Sequence, residues 1–311
     1  MRNYVLRRAL SLLPVLFGVS LMTFGLMGLV PGDPAEILAA YGKDIEPGPD
    51  EIEAVRVELG LDLSLPGQYI RWLGRAVSGD LGNSLRTGRP VWQEITARLP
   101  ATLELTGAGM LIALLIALPS GVLAAVNRDG LLDHVSRFLA LVGASVPSFW
   151  LGATFILLFA VELRWLPAMG RGGPSHLVLP SLALGIGASA VIMRLTRAGL
   201  LEVLDQDYIR TARAKGFHER AVILRHALKP SLLPTVAVIG LQFGQLLGGA
   251  VIIETIFAWP GLGMFIIESI LGRDFPVIQG FALLMSLVFV SSNFLVDVLC
   301  RWLDPRIRYG C

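Results

Sequence analysis

Four histidines (His134, His176, His218 and His226) and two cysteines (Cys300 and Cys311) are all the imidazole and thiol groups in this 311-residue chain. None falls at the close spacing that gathers a zinc ion, and His218 and His226, which share a segment, stand eight residues apart. There is no G-x-x-x-x-G-K-[ST] loop; the only Gly-Lys pair, Gly42-Lys43, runs into Asp44. A site that cradles ATP phosphates must therefore come from another chain if ATP is used. Neither H-E-x-x-H nor a convincing serine or aspartate pair occurs in the apolar stretches, so no catalytic residue and no metal ligand is assigned. One polar segment instead has the build of a capped helix. Asp207-Tyr208-Ile209-Arg210-Thr211-Ala212-Arg213-Ala214-Lys215-Gly216 reads as a short helix. Asp205 or Asp207 can cap its start, and Gly216 supplies the left-handed residue that ends it. Arg210, Arg213 and Lys215 gather where the helix dipole favours cations. Tyr208, Ile209 and Ala212 make a short apolar face. At about two and a half turns such a helix is marginal alone in water, so it must lie on a surface.

The elements around it are set by where charge is missing. Charged residues are only 16% of the chain and the mean hydropathy is +0.67, whereas a soluble chain carries about 25% charged residues. The deficit sits in six charge-free windows of 22 to 24 residues: 9–32, 105–127, 138–161, 172–193, 230–253 and 275–296. About 20 apolar residues in a helix cross a hydrocarbon core of about 30 Å. Each window therefore predicts one transmembrane helix. Lipid-exposed backbone must pair within its own segment, and the alternation of barrel strands is missing. The fold class is thus all-α and polytopic, with six transmembrane helices in a single transmembrane domain over 1–311. A soluble globule, a fibre and a disordered chain are excluded. With no Asp, Glu, Lys or Arg inside a window, the spans lack the proton relay or fixed ion site of an ion-driven secondary transporter. Glu254 and Asp297 lie at window edges, where helix-end or subunit contacts are expected.

Orientation follows from 16 basic residues on one side, including eight from Arg194 to Lys229, against Arg164, Arg171 and Arg273 in the short loops opposite. This places both termini in the cytoplasm. Cys300 and Cys311 then sit in a reducing compartment, which argues against a structural disulfide. The first apolar run is too long for a signal peptide and ends in the turn Pro31-Gly32-Asp33-Pro34, so it reads as a retained helix. Two polar segments remain: an external one, 31–104, and a cytoplasmic one, 194–230. The external segment predicts short helices over 47–60, Pro66 to Val77 and Pro90 to Leu99. Its acidic excess makes nucleic acid a poor partner.

The segment Asp207–Gly216, followed by His226-Ala227-Leu228 and Leu233-Pro234, resembles the cytoplasmic coupling loop of binding-protein-dependent ABC importer permeases. The closer likeness is to the first permease of the dipeptide, oligopeptide and nickel branch. Supporting motifs run in order along the chain: Pro31-Gly32-Asp33-Pro34, Leu59-Gly60-Leu61-Asp62, Gly79-Asp80-Leu81-Gly82 and Ala101-Thr102-Leu103-Glu104-Leu105, then Trp259-Pro260-Gly261-Leu262-Gly263, Arg273-Asp274-Phe275-Pro276-Val277 and Asp304-Pro305-Arg306-Ile307-Arg308. The wider superfamily motif begins Glu-Ala-Ala, where this chain has Arg210-Thr211-Ala212, a variation usual in the peptide and nickel branch. The resemblance implies a permease subunit, not an enzyme, in a bacterial or archaeal plasma (inner) membrane. Its implied partners are a second permease, two ATP-binding subunits holding ATP and Mg, and an external or periplasmic substrate-binding protein. The residues implied to couple to the ATPase are Asp207 to Gly216. Short peptides are the implied substrate, with nickel or a metal chelate as the alternative, because the turn from Trp165 to Gly173 looks somewhat more like nickel permeases.

Overall fold

Val146 precedes Pro147, and a proline ring pushes the residue before it out of the helical region. In the computed structural model, which describes residues 2–28, 33–40 and 47–303, Val146 is extended (φ −86°, ψ 123°) and Pro147 starts a new helix. The window 138–161 is therefore not one straight crossing. It falls on α6 (Leu131–Ser145) and α7 (Ser148–Phe155), the latter continued by a π-helical turn (Ile156–Glu162), with a bend of 97° between them. Charge-free composition selects the solvent but does not force the backbone to run straight through it.

The remaining elements, in chain order, are α1 (Arg2–Gly28), α2 (Pro34–Ala40), α3 (Pro49–Leu59), α4 (Leu65–Val77), α5 (Val91–Val126), α8 (Pro174–Leu204), α9 (Asp207–Ala214), α10 (Glu219–Ala221), a second π-helical stretch (Val222–Ala227), α11 (Leu228–Ser231), α12 (Leu233–Ile256), α13 (Leu262–Leu271) and α14 (Phe275–Leu303). Among the described residues there is no β-strand, and one isolated β-bridge pairs Asn83 with Pro90. Four helices are long and apolar enough to cross a membrane, namely α5, α8, α12 and α14, and the bent α6–α7 pair makes a fifth candidate. The described apolar part of α1 runs Leu12–Gly25, and the end of its window, with Pro31 and Gly32, lies outside the described residues. So do Gly42-Lys43-Asp44 and Asp304 to Arg308.

Contacts divide the chain into two units. The first comprises Met1–Leu99 and Phe265–Val290. Here the expected helix over 47–60 is α3, entered through Pro49 and closed by Gly60 in the left-handed conformation. α4 turns Tyr69 and Trp72 toward Phe17 and Phe24 of α1, and the Tyr69 hydroxyl lies 2.7 Å from Ser20 Oγ. Ile70 and Val77 of the same helix are exposed. The third expected helix, from Pro90 to Leu99, is the first part of α5, which runs on through Pro100 and Pro119.

The second unit comprises Pro100–Met264 and Ser291–Cys311. Its core gathers Leu105, Met110, Leu179, Ile192, Met193, Leu246, Ile253 and Phe257 from α5, α8 and α12 and the turn after it. Small residues let helices approach closely where lipid offers no hydrophobic drive. That approach falls at Gly185, where a Cβ would come within 2.6 Å of the Gly109 carbonyl oxygen. It does not fall at Gly248, which has open space around it. α8 continues through Arg194 to Leu204, so the polar segment that starts at 194 begins as helix and first turns at Asp205.

Candidate functional site

α9 carries the segment singled out in the sequence. Neither Asp205 nor Asp207 caps it: Gln206 holds the extended N-cap backbone (φ −74°, ψ 148°) without a side-chain hydrogen bond, and Asp207 is the first helical residue. The helix ends at Lys215, and Gly216 follows at φ +80°, a left-handed turn that a side chain disfavours. The Gly216 amide donates to the Arg213 carbonyl at 2.9 Å, closing the last turn.

The apolar face splits in two. Ile209 and Ala212 are buried, packed with Ala125, Leu200, Val222 and Ala227 of the same chain. Tyr208 is 47% exposed on the other side, with Asp207, Arg210, Thr211, Arg213, Ala214, Lys215 and Gly216 also exposed. The apolar stripe thus clamps α9 onto its own protein, and the outward face is mostly polar and basic. Arg213 donates to both carboxylate oxygens of Glu219, at 3.1 and 2.7 Å, which ties α9 to α10. The Arg213 guanidinium holds the Glu219 carboxyl below its ordinary range, and Glu219 in turn raises Arg213. The segment continues as the π-helical stretch, where His226 lies against the Phe217 ring at 5.5 Å. α9 is thus mounted on its own chain through its apolar face and leaves a polar face open.

Close to α9 along α8, Arg197 donates twice to Asp133 of α6, at 2.7 and 2.6 Å. The Asp133 side chain is fully buried and also accepts the Asp129 amide. In the sequence Arg197 counted only toward membrane orientation. Its role as the partner of a buried carboxylate was not legible, because Asp133 lies 64 positions away.

Glu254, near the end of α12, makes the helix-end contact expected of it, but inside the protein: the amides it accepts belong to the first turn of α13. It is fully buried and bound within its own unit. Thr102 Oγ1 donates to it at 2.6 Å, and the Gly263 and Met264 amides donate at 2.6 and 3.1 Å. The Thr102 oxygen also accepts the Leu262 amide at 2.8 Å, and Trp259 Nε1 donates to the Ala101 carbonyl at 2.9 Å. A Cβ at Gly263 would come within 2.9 Å of the Glu254 carboxylate, so only glycine lets the amides close around it. Two sequence motifs, 101–105 and 259–263, are therefore halves of one buried knot. The side chain of Asp297, the other window-edge acid, lies outside the described residues.

The first unit contains a counterpart. Asp274 accepts the Ser84 hydroxyl at 2.5 Å and the Leu85 and Arg86 amides at 3.1 and 3.3 Å. Arg86 in turn donates to Glu268 at 2.5 Å. Motif 273–277 is thus fastened to the loop that follows motif 79–82.

Comparison with known proteins now bears on an all-helical chain with several membrane-length helices and a clamped polar helix between two of them. The family model described as "Binding-protein-dependent transport system inner membrane component" matches residues 117–309, and its N-terminal companion matches residues 1–106. The chain belongs to this family. The glutathione transport system permease protein GsiC of Escherichia coli (strain K12) is 45% identical over 309 residues, 99% of this chain and 100% of that one. GsiC of Shigella dysenteriae serotype 1 matches to the same extent. Among solved structures, the MetNI methionine ABC transporter superposes with a TM-score of 0.59 at 22% identity, covering 68% of this chain and 96% of that one. An amino acid ABC transporter superposes with a TM-score of 0.54 at 18% identity, over 68% and 94% of the two chains. Those two likenesses are of fold. The protein is an ABC importer permease subunit of the binding-protein-dependent family.

Proposed function

We propose that this permease forms half of the translocation pathway for short peptides, glutathione-like tripeptides among them, delivered by an external binding protein. The observation that carries this reading is the 45% identity across the whole chain to permeases of glutathione transport. Residues 1–311 act as one ABC-importer transmembrane domain with six crossings and both termini cytoplasmic. The six charge-free windows and the 16-to-3 division of basic residues support that topology. A related second permease completes the pathway, and two ATP-binding subunits hold the ATP and Mg that the chain itself has no loop to bind. The external segment 31–104 faces the binding protein. The exposed side of Asp207–Gly216 seats on an ATP-binding subunit, and its clamp through Ile209 and Ala212 passes nucleotide-driven closure to α5 and α8.

Reconstitution with the second permease and both ATP-binding subunits in vesicles tests this reading. Accumulation of glutathione or a dipeptide that depends on ATP and on the binding protein is expected. Uptake of a nickel chelate alone would reassign the substrate. Uptake that follows an ion gradient and ignores ATP would replace the importer with a secondary transporter.

A further inference from the structure

α6 and α8 form an open cavity of about 590 Å³ lined by His134, Arg137, Phe138, Leu141, Arg194 and Arg197. Arg197 is committed to Asp133, which also accepts the Asp129 amide and feels the charge of Arg137 at longer range. Among the described residues, Arg137 and Arg194 make no ion pair or hydrogen bond, and both are exposed. Their positions in the chain are informative. Arg137 immediately precedes the charge-free run 138–161, and Arg194 immediately follows the run 172–193. Both residues line the one cavity, each next to the end of an apolar run. Phe138 (64% exposed) and Leu141 (61% exposed) continue the lining along α6 on the apolar side of Arg137.

We infer that this cavity binds the phosphate headgroup of an anionic phospholipid, between Arg137 and Arg194, with an acyl chain against Phe138 and Leu141. Cations at the membrane boundary draw anionic headgroups, and a planar guanidinium fork matches phosphate oxygens. A free phosphate could use the two cations but would leave the exposed Phe138 and Leu141 uncovered. A lipid satisfies the polar and the apolar lining together. This site rests only on the membrane location of the permease and on α6 and α8, not on the identity of the transported substrate. The two readings can therefore fail separately.

Native mass spectrometry of the delipidated transporter complex, titrated with phosphatidylglycerol or phosphatidylcholine, reads the site directly. Phosphatidylglycerol is expected to bind preferentially, and the double variant Arg137→Gln/Arg194→Gln should lose about 10- to 30-fold of that preference. Binding of phosphatidylcholine should not change. The pair Arg137→Lys/Arg194→Lys, which keeps the charge, should retain most of the preference and controls for folding. Equal phosphatidylglycerol binding by the Gln pair and the unaltered protein would overturn the inference. Displacement of the lipid by millimolar inorganic phosphate, or by a dipeptide, would also overturn it by assigning the cavity to a small soluble anion. So would efficient cross-linking of Phe138→Cys to the second permease, which would make this face a subunit contact.

Discussion

The knot around Glu254 and the helix Asp207–Ala214 solve opposite problems with similar residue types. At Glu254 the polar atoms point inward: a hydroxyl and two amides converge on one fully buried carboxylate. In α9 the apolar atoms point inward, and the charges stay in water. A buried, fully paired acid fixes one arrangement of the chain, because removing any partner strands a desolvated group. A clamped helix with an unspent polar surface keeps its position yet leaves its chemistry for something else. The difference teaches that one region should be sensitive in stability and the other in function.

The contrast breaks first, if it breaks, at Glu254. Glu254→Ala strands the Thr102 hydroxyl and two amides, and we expect it to cost about 3–5 kcal/mol. A lower apparent melting temperature in detergent, with poor membrane yield, is the readout; Glu254→Gln should lose much less, since it keeps the shape and one acceptor oxygen. Next in size is Ile209→Ala, which opens a gap under α9 and costs about 2–3 kcal/mol locally. Hydrogen exchange should show early release of residues 205–221 while the core around Leu105 and Ile192 stays protected. Uniform loss of protection would place α9 inside the main cooperative unit.

Gly216→Asp is expected to move stability by only about 1 kcal/mol, the strain of a side chain at φ > 0, because open space surrounds the glycine. ATP-dependent uptake should nonetheless collapse; normal uptake would remove this turn from the mechanism. The smallest effect belongs to the exposed Arg213–Glu219 pair, worth less than about 1 kcal/mol. Because Arg213 lowers the Glu219 carboxyl, its contribution is present above the ordinary value of 4.5 and is lost as pH falls through the lowered folded value. Glu219→Gln should therefore loosen α9 slightly at neutrality, to the level the unaltered protein reaches below that pH, and abolish the acid-induced change.

Much of the fold was legible because lipid and water are such different solvents. Charge-free runs located α5, α8, α12 and α14, and proline with glycine located α3. The bend at Pro147 was not legible from charge, since both arms of the pair are equally apolar. In α9 the sequence shows an apolar stripe but not whose surface covers it; that depends on Ala125, far along the chain, as well as on the nearby Leu200. It also favoured an aspartate cap, whereas the backbone at Gln206 set the start without any side-chain help. Glu254 was the least legible, with its Thr102 partner 152 positions away. The available signal was two glycines, Gly261 and Gly263, closely following an acid at a helix end, because glycine-rich turns offer free amides to a carboxylate.

Site-directed cross-linking of the assembled transporter, in a Cys300→Ser/Cys311→Ser background, tests the central claim most directly. Cysteines are introduced singly as Tyr208→Cys, Thr211→Cys and Ile209→Cys, and a short bifunctional reagent is applied. Cross-links to the ATP-binding subunit from positions 208 and 211, changing in yield with ATP and absent from 209, are the predicted result. Equal labelling at all three positions, or a cross-link from 209 alone, would mean that α9 turns its apolar stripe toward the partner and that the clamp described here does not operate.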